Sequence, residues 1–133
     1  MNYDEFRRRY LIPYESLNHH YEKYKGFIVW RRGTGGNVEL LHIKTFEKGK
    51  GYGRELFYVM LDRLIDNLPY YSIFGFTRTS NEEAQRFYGA LGFNLQEING
   101  LYKDGKAIMF WQSYESLLKS KEQYENSIRG QAQ

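Results

Sequence analysis

Residues 47–56 read EKGKGYGREL, three alternating glycines in a basic stretch that separates one apolar segment from another. Its flanks make it decisive for the fold. Before it, NVELLHIKTF at 37–46 has the apolar and β-branched content of a strand. After it, Leu56, Phe57, Met60, Leu61, Leu64, Ile65 and Leu68 recur at helical spacing until Pro69 ends the pattern, which predicts a helix over 54–67. A strand entering such a loop and a helix leaving it put successive backbone N–H groups at a helix N-terminus, where about half a unit of positive charge favours an anion. Glycine at 49, 51 and 53 keeps side chains from holding that anion off the backbone. Two common phosphate motifs do not fit. No Ser or Thr follows the lysine as the nucleotide P-loop requires, and the glycines do not fall in the dinucleotide GxGxxG spacing.

Composition narrows the partners. At 133 residues, 41% hydrophobic and 18% aromatic, the chain is long enough for one domain with a real core. It has no cysteine, which excludes disulfides and thiolate metal sites, and its three histidines show no ligand spacing, so no metal is expected. There is no apolar run of about 18 residues, and the opening MNYDEFRRRY is charged, so a soluble, cytoplasmic protein without a membrane partner is expected. Residues 1–50 carry ten Lys or Arg against six Asp or Glu, whereas 51–133 carry nine against ten. Within 44–54, Lys44, Lys48, Lys50 and Arg54 face one acid, Glu47. Such a local cluster indicates one anionic ligand, where a nucleic-acid surface would spread its charge along a face.

The remaining segments supply the architecture. Phe6, Tyr10, Tyr14 and Leu17 keep helical spacing across Pro13, so residues 2–25 are expected to form one or two short helices. GFIVWRR at 26–32, the turn-prone GTGG at 33–36 and the strand at 37–46 make a hairpin. YSIFGFT at 71–77 reads as a strand covered on both faces. Ser80 and Glu83 fit a capping box, Ala84, Phe87, Tyr88 and Leu91 form one apolar stripe, and Gly92 is the natural stop. Residues 93–98 and 106–113 are expected to pair antiparallel through the turn dipeptides Asn99-Gly100 and Asp104-Gly105. Strand, helix, strand around the loop implies a right-handed crossover with parallel neighbours there. The expected fold class is α/β, a mixed, mostly antiparallel central sheet with helices on both faces. Residues 1–25 form a reduced helical region, 26–113 the core and 114–133 a helical tail of one domain.

At this point the motifs carry a likeness. KGKGYG at 48–53 resembles the Gln/Arg-x-x-Gly-x-Gly/Ala pyrophosphate loop of the GNAT superfamily of N-acetyltransferases, and Asn81, Ala84, Phe87, Tyr88, Gly92 and Phe93 resemble that family's second signature. The resemblance covers roughly 26–112. Lys48 stands where the family usually has Gln or Arg, and residues 1–25 are shorter than its usual first strand and two helices, a region that commonly shapes the acceptor pocket. The resemblance implies transfer of an acetyl group from acetyl-CoA, the donor, to a primary amine, with no metal. It places the pyrophosphate on the backbone of Lys48, Gly49, Lys50, Gly51, Tyr52 and Gly53, with Lys50 and Arg54 balancing its charge. It runs the pantetheine beside 38–45, with oxyanion donors near Ile43, Lys44 and Thr45. Asn81 either bonds the pantetheine or caps the helix.

Such a reaction needs a base and an acid. An alkylamine with pKa near 10.4 must lose a proton to attack, and the departing thiolate must gain one. The signature assigns the acid to Tyr88, whose competing role is to complete the apolar stripe. Glu39 is the preferred base: counting by twos puts it on one face with Leu41 and Ile43, and puts His42 on the other face in a structural role. The acceptor, a small molecule or a protein amine, is not legible, and a homodimer is left open. Two alternatives share the fold: a CoA-binding regulatory module that transfers nothing, and a nucleic-acid-associated modifying protein suggested by a pI near 9.0, Arg7 to Arg9 and plentiful aromatics.

Overall fold

The computed structural model describes residues 1–12, 17–33, 35, 37–64, 72–103 and 105–132. Their contacts fall into two compact units, Met1–Asn67 and Leu68–Gln133. In order, the elements are α1 (Tyr3–Phe6) running into a π-helical turn (Arg7–Leu11), β1 (Asn18–Glu22), β2 (Gly26–Arg32), β3 (Val38–Thr45), α2 (Tyr52–Leu64), β4 (Ile73–Arg78), α3 (Glu82–Ala90), β5 (Asn94–Tyr102), β6 (Gly105–Gln112) and α4 (Tyr114–Ala132). These make the α/β class expected, and every ladder considered below is antiparallel. No helix among the described residues is long and apolar enough to cross a membrane.

In the first unit, β2 is the middle strand, paired with β1 on one side and β3 on the other. Asn2 starts α1 by accepting the Glu5 N–H at 2.9 Å. The helix lays Phe6 and Tyr10 on Phe27, with ring centroids 4.4 and 4.7 Å apart, and Tyr21 joins the pile. Phe6, Phe27 and Val29 are fully buried, with Leu41 and Phe46 packed around them. Ile28, Trp30 and Leu40 are buried on the opposite face of the hairpin, and α2 contributes Leu56, Phe57, Met60 and Leu61 to the core. The helix is the one the periodicity predicts, although it starts two residues earlier, at Tyr52. Ile65, Leu68 and Pro69 lie outside the described residues, as do Pro13, Tyr14 and positions 34 and 36 of the GTGG turn.

The N-terminal expectation needs correction. Residues 18–22 are a strand, with His19 opposite Val29 and Tyr21 opposite Phe27. Alternate residues thus reach the aromatic cluster, a period-two pattern that Phe6 and Tyr10 at helical spacing had concealed.

In the second unit, β6 lies between β4 and β5. β4 buries Ile73, Gly75 and Thr77 while Phe74 and Phe76 are half-buried, so one face is covered more completely than the other. Asn99-Gly100 is not a turn. It sits inside β5 where the register with β6 slips between Ile98 and Tyr102, and the pairing closes at Tyr102 and Gly105. Asp104 lies outside the described residues. Gly92 stops α3 as expected, at φ +94°. A Cβ there would come within 3.0 Å of Gln112 Nε2 and 3.3 Å of Ser120 Oγ. Gly92→Ala is therefore expected to cost about 1–3 kcal/mol in denaturant unfolding, from backbone strain and crowding together.

Candidate active site

The basic loop joins β3 to α2, and two of its glycines are left-handed, Gly49 at φ +76° and Gly51 at φ +75°. Alternating such residues with ordinary ones turns successive N–H groups toward one concave side, a geometry that suits anions. Nothing lies within 4 Å of where a Cβ would stand at either position. Left-handed backbone, and not crowding by the protein, is what calls for glycine at both. The Gly51 carbonyl accepts the Glu55 N–H at 3.2 Å, so Gly51 is the residue that opens α2. Tyr52, Gly53 and Arg54 form the first turn of this 13-residue helix. Lys50 reaches back to Glu47 at 3.8 Å, a contact between two exposed groups that holds little energy. Glu55, the acid of the first turn, is engaged by Lys25 at 2.8 Å, and Lys25 also lies over the Tyr52 ring. Lys48, Lys50 and Arg54 remain a cationic group at the positive end of a helix, an arrangement an anionic ligand would stabilise.

Ile43, Lys44 and Thr45 pair with Ile28, Phe27 and Gly26, and are the last residues of β3 before the loop. Further up the strand the pairing slips: Val29 is opposite His42, but Trp30 is opposite Leu40. Leu41 is therefore an extra residue, a β-bulge. Beyond it the alternation changes phase. Residues directly opposite each other share a face, so Arg31, Val29 and Phe27 carry Glu39, His42 and Lys44 with them. Ile43 goes to the other side with Ile28, Trp30 and Leu40. Counting by twos had grouped Glu39 with Ile43 and set His42 apart; the bulge reverses both.

Glu39 is held by Arg31, whose Nε and Nη2 donate to the same carboxylate oxygen at 3.1 and 2.9 Å. Its side chain is 17% exposed, against 52% for the arginine. Arg31 is the partner that sequence reasoning missed. His42 meets the Tyr10 ring edge-on at 5.1 Å, and partial desolvation lowers its imidazole pKa below the usual 6.5. A trace of the bulge was present in the sequence: apolar residues fall at 38 and 40 and then at 43, a break of phase that a regular strand does not make.

In the second unit, Asn81 rather than Ser80 is the N-cap of α3, its Oδ1 accepting the Ala84 N–H at 3.0 Å. The Ser80 and Glu83 box is thus displaced by the neighbouring side chain, an equally good cap. Tyr88 is buried to 7% exposure, stacked on Phe110 at 3.7 Å and flanked edge-on by Phe87 and Phe93. Nothing among the described residues hydrogen-bonds its hydroxyl, and burial pushes the phenol pKa well above 10. Tyr88 therefore does complete the apolar stripe, with Leu91 also buried and Ala84 and Phe87 half-buried. No cluster of His, Asp or Glu suited to a metal occurs among the described residues.

The acetyltransferase (GNAT) family model matches residues 4–93, about two thirds of the chain and both motifs. The chain belongs to the GNAT family. No curated protein sequence matches it. Among solved structures, Ard1 from Thermoplasma volcanium is 27% identical, with a TM-score of 0.57 over 67% of this chain and 62% of that one. Naa50 of Arabidopsis thaliana, solved with the bisubstrate analogue CoA-Ac-MVNAL, is 23% identical at TM-score 0.56, over 67% and 65% of the two chains. The ribosomal-protein-S18-alanine N-acetyltransferase of Escherichia coli is 20% identical at TM-score 0.57, over 76% and 71%. The chain thus spans less than two thirds of the first two relatives. At these identities the last two likenesses establish the GNAT fold.

Capping predicts its own measurable effect. Asn81→Ala removes the acceptor for the Ala84 N–H and is expected to cost about 1 kcal/mol of unfolding free energy. Asn81→Ser, which keeps a capping oxygen, should recover most of that loss in the same thermal melts.

Proposed function

We propose that this GNAT-family chain transfers an acetyl group from acetyl-CoA to a primary amine. The observation that carries the reading is the pair of left-handed glycines, Gly49 and Gly51, opening α2 within a cationic loop. Such a loop suits a compact polyanion at its concave side, and the family match makes the CoA pyrophosphate the natural occupant. Lys48, Gly49, Lys50, Gly51, Tyr52, Gly53 and Arg54 would hold it, the glycines through backbone N–H groups and the cations by balancing charge. Ile43, Lys44 and Thr45, leading into that loop, would lie along the pantetheine and offer backbone donors to a developing oxyanion. Asn81 spends its Oδ1 on the cap and keeps its amide N–H₂ to offer to a ligand.

Acetyl-CoA, when bound, supplies the activated thioester carbonyl. Tyr88 is proposed as the acid that protonates the departing thiolate. Its aromatic surroundings exclude water and fix the ring, and its raised pKa keeps the proton in place across the working range. The same stacking explains why the residue has two roles: one ring face is core and the hydroxyl is the reagent. The bisubstrate complex of Naa50 and the alanine N-acetyltransferase from Escherichia coli make a protein or peptide amine the first acceptor class to try.

Two measurements test the proposal. Acetyl-CoA should raise the melting temperature of the wild type, and Gly51→Val should abolish the shift, because a β-branched residue cannot take φ +75° without strain; a wild type that shows no shift would overturn CoA binding. Tyr88→Phe should slow transfer by about 10²-fold or more while acetyl-CoA affinity stays nearly intact. Because Tyr88 stays protonated to above pH 10, the wild-type rate should show no loss attributable to the acid between pH 7 and 10. Unchanged turnover in Tyr88→Phe would reject the acid assignment.

A further inference from the structure

The acetyl-transfer reading needs a base, for which the sequence points to Glu39, and β3 offers a second candidate on the same face, His42. Glu39 is engaged by both Nε and Nη2 of Arg31. Two charge-assisted hydrogen bonds from one arginine fix that carboxylate in place, with one of its oxygens already occupied. His42 has no such partner in the ladder: the residue directly opposite it is Val29, and among the described residues the ring against it is Tyr10. The bulge at Leu41 places the two candidates three residues apart yet on the same side of the sheet.

We infer that His42 is the general base of this enzyme, and that the Arg31–Glu39 pair beside it positions the site. The inference rests on the acetyl-transfer reading above. Its balance is simple. The acceptor nitrogen attacks the thioester carbonyl, forming the C–N bond. The nitrogen becomes acidic as that bond forms, and its proton passes to the imidazole lone pair. Collapse of the tetrahedral adduct breaks the C–S bond, the thiolate takes a proton from the acid, the imidazolium returns its proton to solvent, and the phenolate left on the acid regains one from solvent.

The surroundings suit a base that must be neutral near pH 7. Partial burial disfavours the imidazolium. Among the described residues, the titratable and charged groups on that side can be named. Along β3 they are Glu39, already paired, and Lys44; from β2 comes Arg31; from the π-helical turn, Tyr10. His19 stands beyond Val29 in the same cross-strand row, and its pKa is also lowered, chiefly by burial. His42 nevertheless keeps solvent exposure, which a base needs to exchange its proton between turnovers.

The test combines pH profiles with a spectroscopic titration. With acetyl-CoA and a panel of peptide N-termini, polyamines and amino acids, wild-type kcat/KM should fall as His42 protonates, with its acid limb below pH 6.5. His42→Gln should lose about 10²-fold or more in turnover and lose that limb, while acetyl-CoA still raises its melting temperature as in wild type. Free imidazole should partly restore His42→Ala. Glu39→Gln should keep the limb. In NMR, the His42 ring of the free protein should titrate below 6.5. A His42→Gln rate within twofold of wild type, an unchanged limb in that variant, or an NMR midpoint at or above 6.5 would each overturn the assignment. A wild type that binds acetyl-CoA but acetylates no acceptor from pH 5 to 9 would overturn the transferase reading and this role with it; its separate signature is an intact melting shift without product.

Discussion

Leu41 is one residue more than β2 can pair, and what this strand presents to chemistry follows from that surplus. A regular strand would have alternated Glu39, Leu41 and Ile43 on one side. With the bulge, the aromatic-cluster face receives Glu39, Leu41, His42 and Lys44, while Leu40 and Ile43 go to the other. Both sides gain. Leu41 packs against the cluster around Phe6 and Phe27, and the polar residues beside it are gathered on one face. A bulge is stable here because its neighbours are over-determined: Val29 and Trp30, the residues it separates, are both buried, so no slip of the hairpin can relieve it without exposing them.

The loop after β3 shows a second local constraint. Left-handed backbone at Gly49 and Gly51 is unfavourable for other residues, and no protein atom crowds either position. The conformation therefore is not imposed by packing against the glycines. It turns N–H groups inward at the start of α2, at the end of the helix where an anion is stabilised most. Lys25 takes up Glu55, so the acid of the first turn is neutralised by a partner on the β1–β2 turn.

Tyr88 joins packing to chemistry in a different way. A phenol enclosed by Phe87, Phe93 and Phe110 is a poor site for a phenolate, and burial alone drives its pKa upward. As a structural residue it resembles any aromatic in a core. In the proposed role of acid it would be a donor that stays protonated, with its orientation fixed by stacking. The two descriptions are compatible because the ring carries the packing energy and the hydroxyl would carry the proton.

Sequence alone determined what depends on local pattern: the glycine loop between a strand and an amphipathic helix, the stripe ending at Gly92, an antiparallel pair read at 93–98 and 106–113, and with them the family. These are readable because periodicity, capping and glycine chemistry act over a few residues. Tertiary structure decided what depends on the partner. NHHYE at 18–22 became a strand because the edge of β2 and an aromatic cluster received it, Asn81 displaced Ser80 as the cap, and Asn99-Gly100 became a slip within β5 instead of a turn. Most consequentially, the faces of Glu39 and His42 were settled by the register of β3 against β2. A strand's own sequence fixes which residues alternate, but the side each takes past an unpaired residue is set by the hydrogen-bonded neighbour across the ladder.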